Sequence, residues 1–362
     1  MVSYGWATDT ESEWGEGNFN NTSYSGDSLG LNSRAIVKIG KESGDSGVWK
    51  EIKYPEFSNP IVVGTIENTG NGNGLVFEVE DATPTSANIR ACDSDGRGNC
   101  ESSGEHIIHY IVADADAVNN VSGIEAGTFN ISSEVDSNTH TVSYNESFTN
   151  TPIPIPSLQT MNGNPTTDVR ITNADSSGFT SGICEQNSDD GCNGGHPTET
   201  VGWVAVEPGN LPFNNGEAGT TGNAASNSNW QGVSFSNTFS ESPMGFASTI
   251  TNDGGQEMEY DEVRNIGTDS MDVRYCELES GDNCDGHTDE NIGWFAVKEG
   301  NYTLDSGPDY ETSGTYDSTT FDAGKNVTWK SSDIDATAPS GTGYDVSYVE
   351  NSSGSWNYHD TF

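Results

Sequence analysis

The sequence predicts an all-β protein: three tandem antiparallel six-stranded β-sandwiches, plus a flanking sandwich split between the two chain ends. Three observations carry this. The six cysteines fall in pairs at Cys92/Cys100, Cys184/Cys192 and Cys276/Cys284, with one internal spacing and a period of 92 residues. β-branched and aromatic residues gather in short runs separated by Gly, Asn, Asp, Ser and Pro, the punctuation of strands and turns. No segment keeps a helical period, while stretches such as Leu75-Val76-Phe77-Glu78-Val79 fit strands.

Residues 1–33, with Trp14-Gly15-Glu16-Gly17-Asn18-Phe19, lie outside the beat and are expected to pair with 304–362. The first repeat, 34–126, places strands at Ala35 to Ile39, Trp49 to Tyr54, Ile61 to Ile66, Leu75 to Val79, Ala87 to Cys92 and Ile107 to Val112. The glycines of 70–74 read as a hairpin turn, where positive φ is needed. The second repeat, 127–216, and the third, 217–303, match each other best, and the first has drifted. Phe57, Phe148 and Phe239 each precede a proline (Pro60, Pro152, Pro243) and a strand-like run. After each cysteine pair comes a histidine and an apolar closing strand. These strands contain Tyr110 in the first copy and Trp203 and Trp294 in the others. Period two sets Val201, Trp203 and Ala205 on one face and Gly202, Val204 and Val206 on the other, so neither face reads as wet. Residues 304–362 form a C-terminal β-module containing Ser313-Gly314-Thr315-Tyr316-Asp317-Ser318.

The strand start in which a phenylalanine shortly precedes a proline, Phe-x-x-Pro in the first copy, the central strand pair and the closing Val201-Gly202-Trp203-Val204-Ala205-Val206 resemble H-type lectin domains across residues 34 to 303. The stretch His287-Thr288-Asp289-Glu290 also resembles repeats of large surface proteins of halophilic archaea. The resemblance implies six-stranded sandwiches that bind sugars, on a surface adhesin.

Composition narrows the setting. With 13 basic against 56 acidic residues and a net charge of −43, the chain lacks the Lys/Arg patches that nucleic acid requires. Such charge destabilises a compact fold by self-repulsion unless salt is abundant, so it predicts a halophilic source and loosening at low salt. Paired cysteines at regular spacing read as disulfides in an oxidising, extracellular location. Asn-x-Ser/Thr sequons at Asn20, Asn21, Asn120, Asn130, Asn145, Asn301, Asn326 and Asn351 fit a glycoprotein. No apolar run reaches the roughly 18 residues of a spanning helix. The start lacks the basic and apolar regions of a secretory signal, so a removed signal or a fragment of a longer protein is expected.

For sugars the candidates are His196, Glu199 and Trp203, matched by His287, Glu290 and Trp294, since sugars stack on aromatic faces and hydrogen-bond to imidazole and carboxylate. The competing reading is that the tryptophans are core. For calcium the candidates are oxygen-rich cysteine loops: Asp93, Asp95 and Asn99, then Asp189 and Asp190, then Asp282 and Asp285. The competing reading there is a solvated acidic hairpin tip. An enzyme is not expected. Gly44-Asp45-Ser46-Gly47 echoes a protease nucleophile segment without supporting partners, and His106 with His109 would face opposite sides of a strand. The expected function is an adhesin-type carbohydrate-binding repeat protein whose partners are glycans or surface glycoproteins. The alternative is a structural stalk or self-assembling filament subunit that exchanges strands with its copies.

Overall fold

The computed structural model describes residues 35–303 apart from loops at 70–74, 95–99, 102–103, 134–138, 146–147, 164–166, 186–191, 193–194, 212–215, 223–228, 253–258, 279–283 and 286–287. Of the flanks it describes the backbone of short strands only. The chain divides into two units, Met1–Ser33 with Pro308–Phe362, and Arg34–Gly307. In the first, Asn18–Phe19 pairs antiparallel with Tyr316–Asp317, so strands from the two ends of the chain meet. Thr22–Tyr24 pairs with Leu29–Leu31, and Tyr348–Ser352 with Ser355–His359.

The second unit is all-β, and its principal strands come six to a repeat. They are β1 Val37–Asp45, β2 Lys50–Lys53, β3 Pro60–Glu67, β4 Leu75–Glu80, β5 Ser86–Ser94 and β6 Glu105–Asp114 in the first. The second has β7 Ile124–Ser133, β8 His140–Ser143, β9 Ile153–Leu158, β10 Thr167–Asp175, β11 Gly178–Glu185 and β12 Gly195–Val206. The third has β13 Glu217–Thr220, β14 Gln231–Ser234, β15 Met244–Thr249, β16 Glu259–Arg264, β17 Ser270–Leu278 and β18 Ile292–Val297. Every repeat makes the same two antiparallel ladders. One runs β1-β6-β3, β7-β12-β9 or β13-β18-β15, and the other β2-β5-β4, β8-β11-β10 or β14-β17-β16.

Each repeat encloses an apolar cluster of its own: Phe57, Ile89 and Tyr110 in the first, Phe179, Val201 and Trp203 in the second, Phe239, Tyr275 and Trp294 in the third. A fourth cluster draws on all three, among them Ile39, Ile111, Ile155, Val204, Phe246 and Phe295. Its 21 buried residues outnumber those of any single repeat's cluster among the described residues. The closing strands explain how. Val201, Trp203 and Ala205 point into the repeat's own cluster, and Val204 and Val206 into the shared one. Ile292, Trp294 and Ala296 divide from Phe295 and Val297 in the same way. Both faces are dry, which is why the sequence shows no wet face there.

The repeats surround a common axis: β3, β9 and β15 touch pairwise, as do β4, β10 and β16. Polar bonds lock the ring. Gln159 accepts the Val62 N–H at 3.0 Å and donates to the Val62 carbonyl at 2.6 Å. The Gly245 N–H donates to His109 Nδ1 at 3.0 Å, and Nε2 of this buried histidine lies 3.3 Å from Glu67. Glu262-Val263 of β16 runs parallel to Ile66-Glu67 of β3, joining ladders of different repeats.

The expected boundaries at 126/127 and 216/217 do not separate independent blocks. The first falls inside β7, and the second is bridged where Gly209–Asn210 pairs with Glu217 and Ala218. A last strand, β19 Gly300–Tyr302, pairs back onto Val37–Ile39 of β1 and closes the ring. The turn expected at 70–74 lies outside the described residues.

Two of the three expected cysteine pairings are described in full. Cys92–Cys100 and Cys184–Cys192 are disulfides with Cα separations of 5.0 and 4.8 Å. Cys276, on β17, is disulfide-bonded as well. Its expected partner Cys284 begins the two-residue strand Cys284–Asp285, which folds back on β17 with Cys284 opposite Leu278. Only the backbone of Cys284 is described, so the bond expected between Cys276 and Cys284 falls outside the described residues. The first repeat has the same return strand, Cys100–Glu101, with Cys100 opposite Ser94 of β5.

Candidate functional site

The residues expected to contact sugar are taken up by the fold. Trp203 and Trp294 are 4% and 6% exposed, each packed in its repeat's cluster. Glu199, 1% exposed, ties down the loop after β9: it accepts the Thr160 hydroxyl at 2.5 Å and the N–H groups of Asn162 and Gly163 at 2.6 and 2.9 Å. Glu290 is fully buried and accepts the Thr251 hydroxyl in the corresponding loop of the third repeat. His196 is buried, 3.1 Å from the Thr167 hydroxyl and 2.8 Å from the Pro197 carbonyl. A buried group with its hydrogen bonds filled has none left for a ligand. These side chains therefore pack and clamp loops, as in the competing core reading. His287 lies outside the described residues.

The calcium candidates cannot be placed at the level of their donors. Asp95, Asn99, Asp189, Asp190 and Asp282 lie outside the described residues, and Asp93 and Asp285 are described as strand backbone only. Glu78 lies beside the sulfurs of Cys92 and Cys100, but those sulfurs are bonded to each other and Arg90 Nε reaches the carboxylate at 2.5 Å. Among the sequons, Asn120, Asn130, Asn145 and Asn301 are exposed, while Asn20, Asn21, Asn326 and Asn351 have no described side chain.

A different place has the form of a ligand site. Where the first repeat meets the second, the one-turn helix α1, Ala115–Val118, stands opposite β7 and β8 across a groove of about 360 Å³. That volume falls within the usual range for small-molecule clefts. Asp114 positions the helix, its carboxylate accepting the N–H groups of Ser58 and Asn59 at 3.0 and 3.1 Å. The polar rim is Asn59, Asp116, Asn119, Thr128, Thr141 and Asn145. Asn119 is fixed by two bonds to the Ala126 backbone, at 2.8 and 2.9 Å. Asn145 is held through its backbone and side-chain N–H groups by buried Glu125. Along the groove Phe129 and His140 stack in parallel, ring centroids 4.5 Å apart. Pre-set amides and hydroxyls beside an aromatic step can recognise a polyol ring.

The floor depends on a glycine that the sequence reading passed over. A Cβ on Gly127 would come within 2.9 Å of the Trp203 indole that lies across from it. Gly219 faces Trp294 and Gly40 faces Tyr110 in the same register. The signal was present as one glycine in the first strand of each repeat, but it acquires meaning only once the strands are paired.

Among known proteins the chain is similar to halomucin of Haloquadratum walsbyi, 26% identical over 261 residues. These cover 68% of this chain and 3% of that protein, so the chain spans a small fraction of its relative's length. No family model matches the chain. No solved structure matches it.

Proposed function

We propose that this chain is an extracellular, carbohydrate-binding segment of an adhesin-type surface glycoprotein of a halophilic microbe. In this reading each repeat is a lectin-like six-stranded sandwich, and the sugar site is the groove between α1 and β7–β8. The observation that carries it is that groove, where rigid polar groups border an aromatic floor. The disulfides, the exposed sequons Asn120, Asn130 and Asn301 and the similarity to halomucin support the compartment. Weak sites of this kind gain by display on a longer array. A glycan array in molar KCl should identify ligands, and Thr141→Trp, which fills the groove, should weaken binding at least tenfold. Binding that is absent for every glycan, or indifferent to Thr141→Trp and Asp116→Ala, overturns the reading.

The shared core favours a second reading, a stalk or filament subunit in which the ring is a stiff spacer. Concentration-dependent polymers in sedimentation or electron microscopy would select it, and strictly monomeric behaviour would remove the strand-exchange form.

A further inference from the structure

The axis of the ring passes a cavity of about 40 Å³, lined by equivalent positions of the three repeats. Val76, Asp168 and Tyr260 occupy one such position, and Phe77, Val169 and Asp261 the next. Two of these six are carboxylates, from different repeats. Both are partly buried and line the cavity.

The two differ in their partners. Asp261 accepts the Thr249 N–H at 2.8 Å and hydroxyl at 2.7 Å, one on each oxygen. Asp168 accepts only the N–H of its own neighbour, Val169, at 2.8 Å on Oδ1, and its Oδ2 carries no hydrogen bond among the described residues. No Lys, Arg or His is among the described residues lining the cavity, whereas the hydroxyls of Thr65, Ser157 and Ser248 are. The other acids that act on Asp261 are engaged elsewhere, Glu262 with Arg274 and Glu290 with Thr251.

Burial of a carboxylate with a free oxygen and no counter-charge is costly. A small recess lined by oxygen donors, and roomier than a single water needs, is what a hard cation seeks. We propose that this axial cavity binds a hard metal cation through Asp168 and Asp261, with hydroxyls from the facing strands. The ion would then be shared by all three repeats and stabilise their assembly as a unit. Its affinity for the folded ring, and not for the open chain, makes it a stabilising ligand.

The test uses the full chain at pH 8, with ionic strength held by choline chloride, whose cation is too large for the cavity, and with chelator present. Added calcium should raise the melting temperature of the native protein by several degrees above the choline baseline. Potassium acting in calcium's place would assign the site to a monovalent ion. Asp168→Asn, nearly isosteric, should melt higher than the native protein in choline and lose the response to either ion. Equal responses of native protein, Asp168→Asn and Asp261→Asn overturn the proposal, because the ion is then bound elsewhere. So does the absence of any response in the native protein. Should Asp168→Asn fail to fold, terbium luminescence excited through tyrosine decides: emission should fall in Tyr260→Phe, and emission unchanged by that variant overturns the site.

Discussion

Asp168 and Asp261 also set a pH dependence. Burial is the main cause that holds Asp168 up at about 8 and Asp261 up at about 6, and the charge of Asp261 raises Asp168 further. An unfolded aspartate titrates near about 3.9. Between that value and the folded ones, the folded chain holds protons that the unfolded chain has lost, so stability falls as pH rises. In buffer free of small cations the melting temperature should decline from about pH 4 to about pH 8 through these groups and level off above. Asp168→Asn should flatten the upper half of that decline, and an unchanged profile would show that the group is solvated. Neither aspartate stood out in the sequence, because 56 acidic residues hide two buried ones and only the ring brings positions 168 and 261 together. The tryptophans take the core reading for a related reason: period two gave their face but not what covers it.

At the scale of elements, the apolar runs were legible and the polar ones were not. The six runs of the first repeat all became strands, because β-branched residues that alternate or cluster fit a pleated surface. What escaped was the outer half of β1, from Lys41 to Asp45, which pairs with β6 while exposing alternate residues and so lacks an apolar signal. Groove and helix α1 were missed too, since four residues after Asp114 are too few to show a period. The cysteine beat was the most legible element of all. Cys184–Cys192 closes a short loop in the second repeat, and loop-closure entropy assigns such a crosslink roughly 2–3 kcal/mol. Chemical denaturation of Cys184→Ser/Cys192→Ser should show that loss as a lower midpoint. Because one sulfur pair lies in a buried cluster with Val76, Tyr260 and Cys276, the loss should be felt beyond its own repeat.

For the whole second unit, the shared cluster makes the three repeats interdependent. Calorimetry of the isolated segment 34–307 should give one cooperative transition, whereas beads on a string would give three overlapping ones. Removing β13–β18 would leave Ile155, Val204 and Val206 facing water, and the remaining two repeats should not form a stable fold. The protein should loosen as salt is lowered from molar to millimolar, by the repulsion that the whole chain's net charge of −43 implies. The period of 92 gave the number of repeats, yet nothing local announces that they curl into a ring, since the residues responsible look like ordinary core. The clasp of that ring has a mechanical meaning. Val37 lies opposite Tyr302 and Ile39 opposite Gly300, and the Ile36 N–H donates to the Tyr302 carbonyl, so the chain enters and leaves at the same end of this ladder. Tension applied between residues 35 and 303 would therefore load these few hydrogen bonds one after another, as a zipper is pulled, before any force reached the repeats within. The ring is tied into its chain by a seam that yields first and leaves the three inner clusters unstretched.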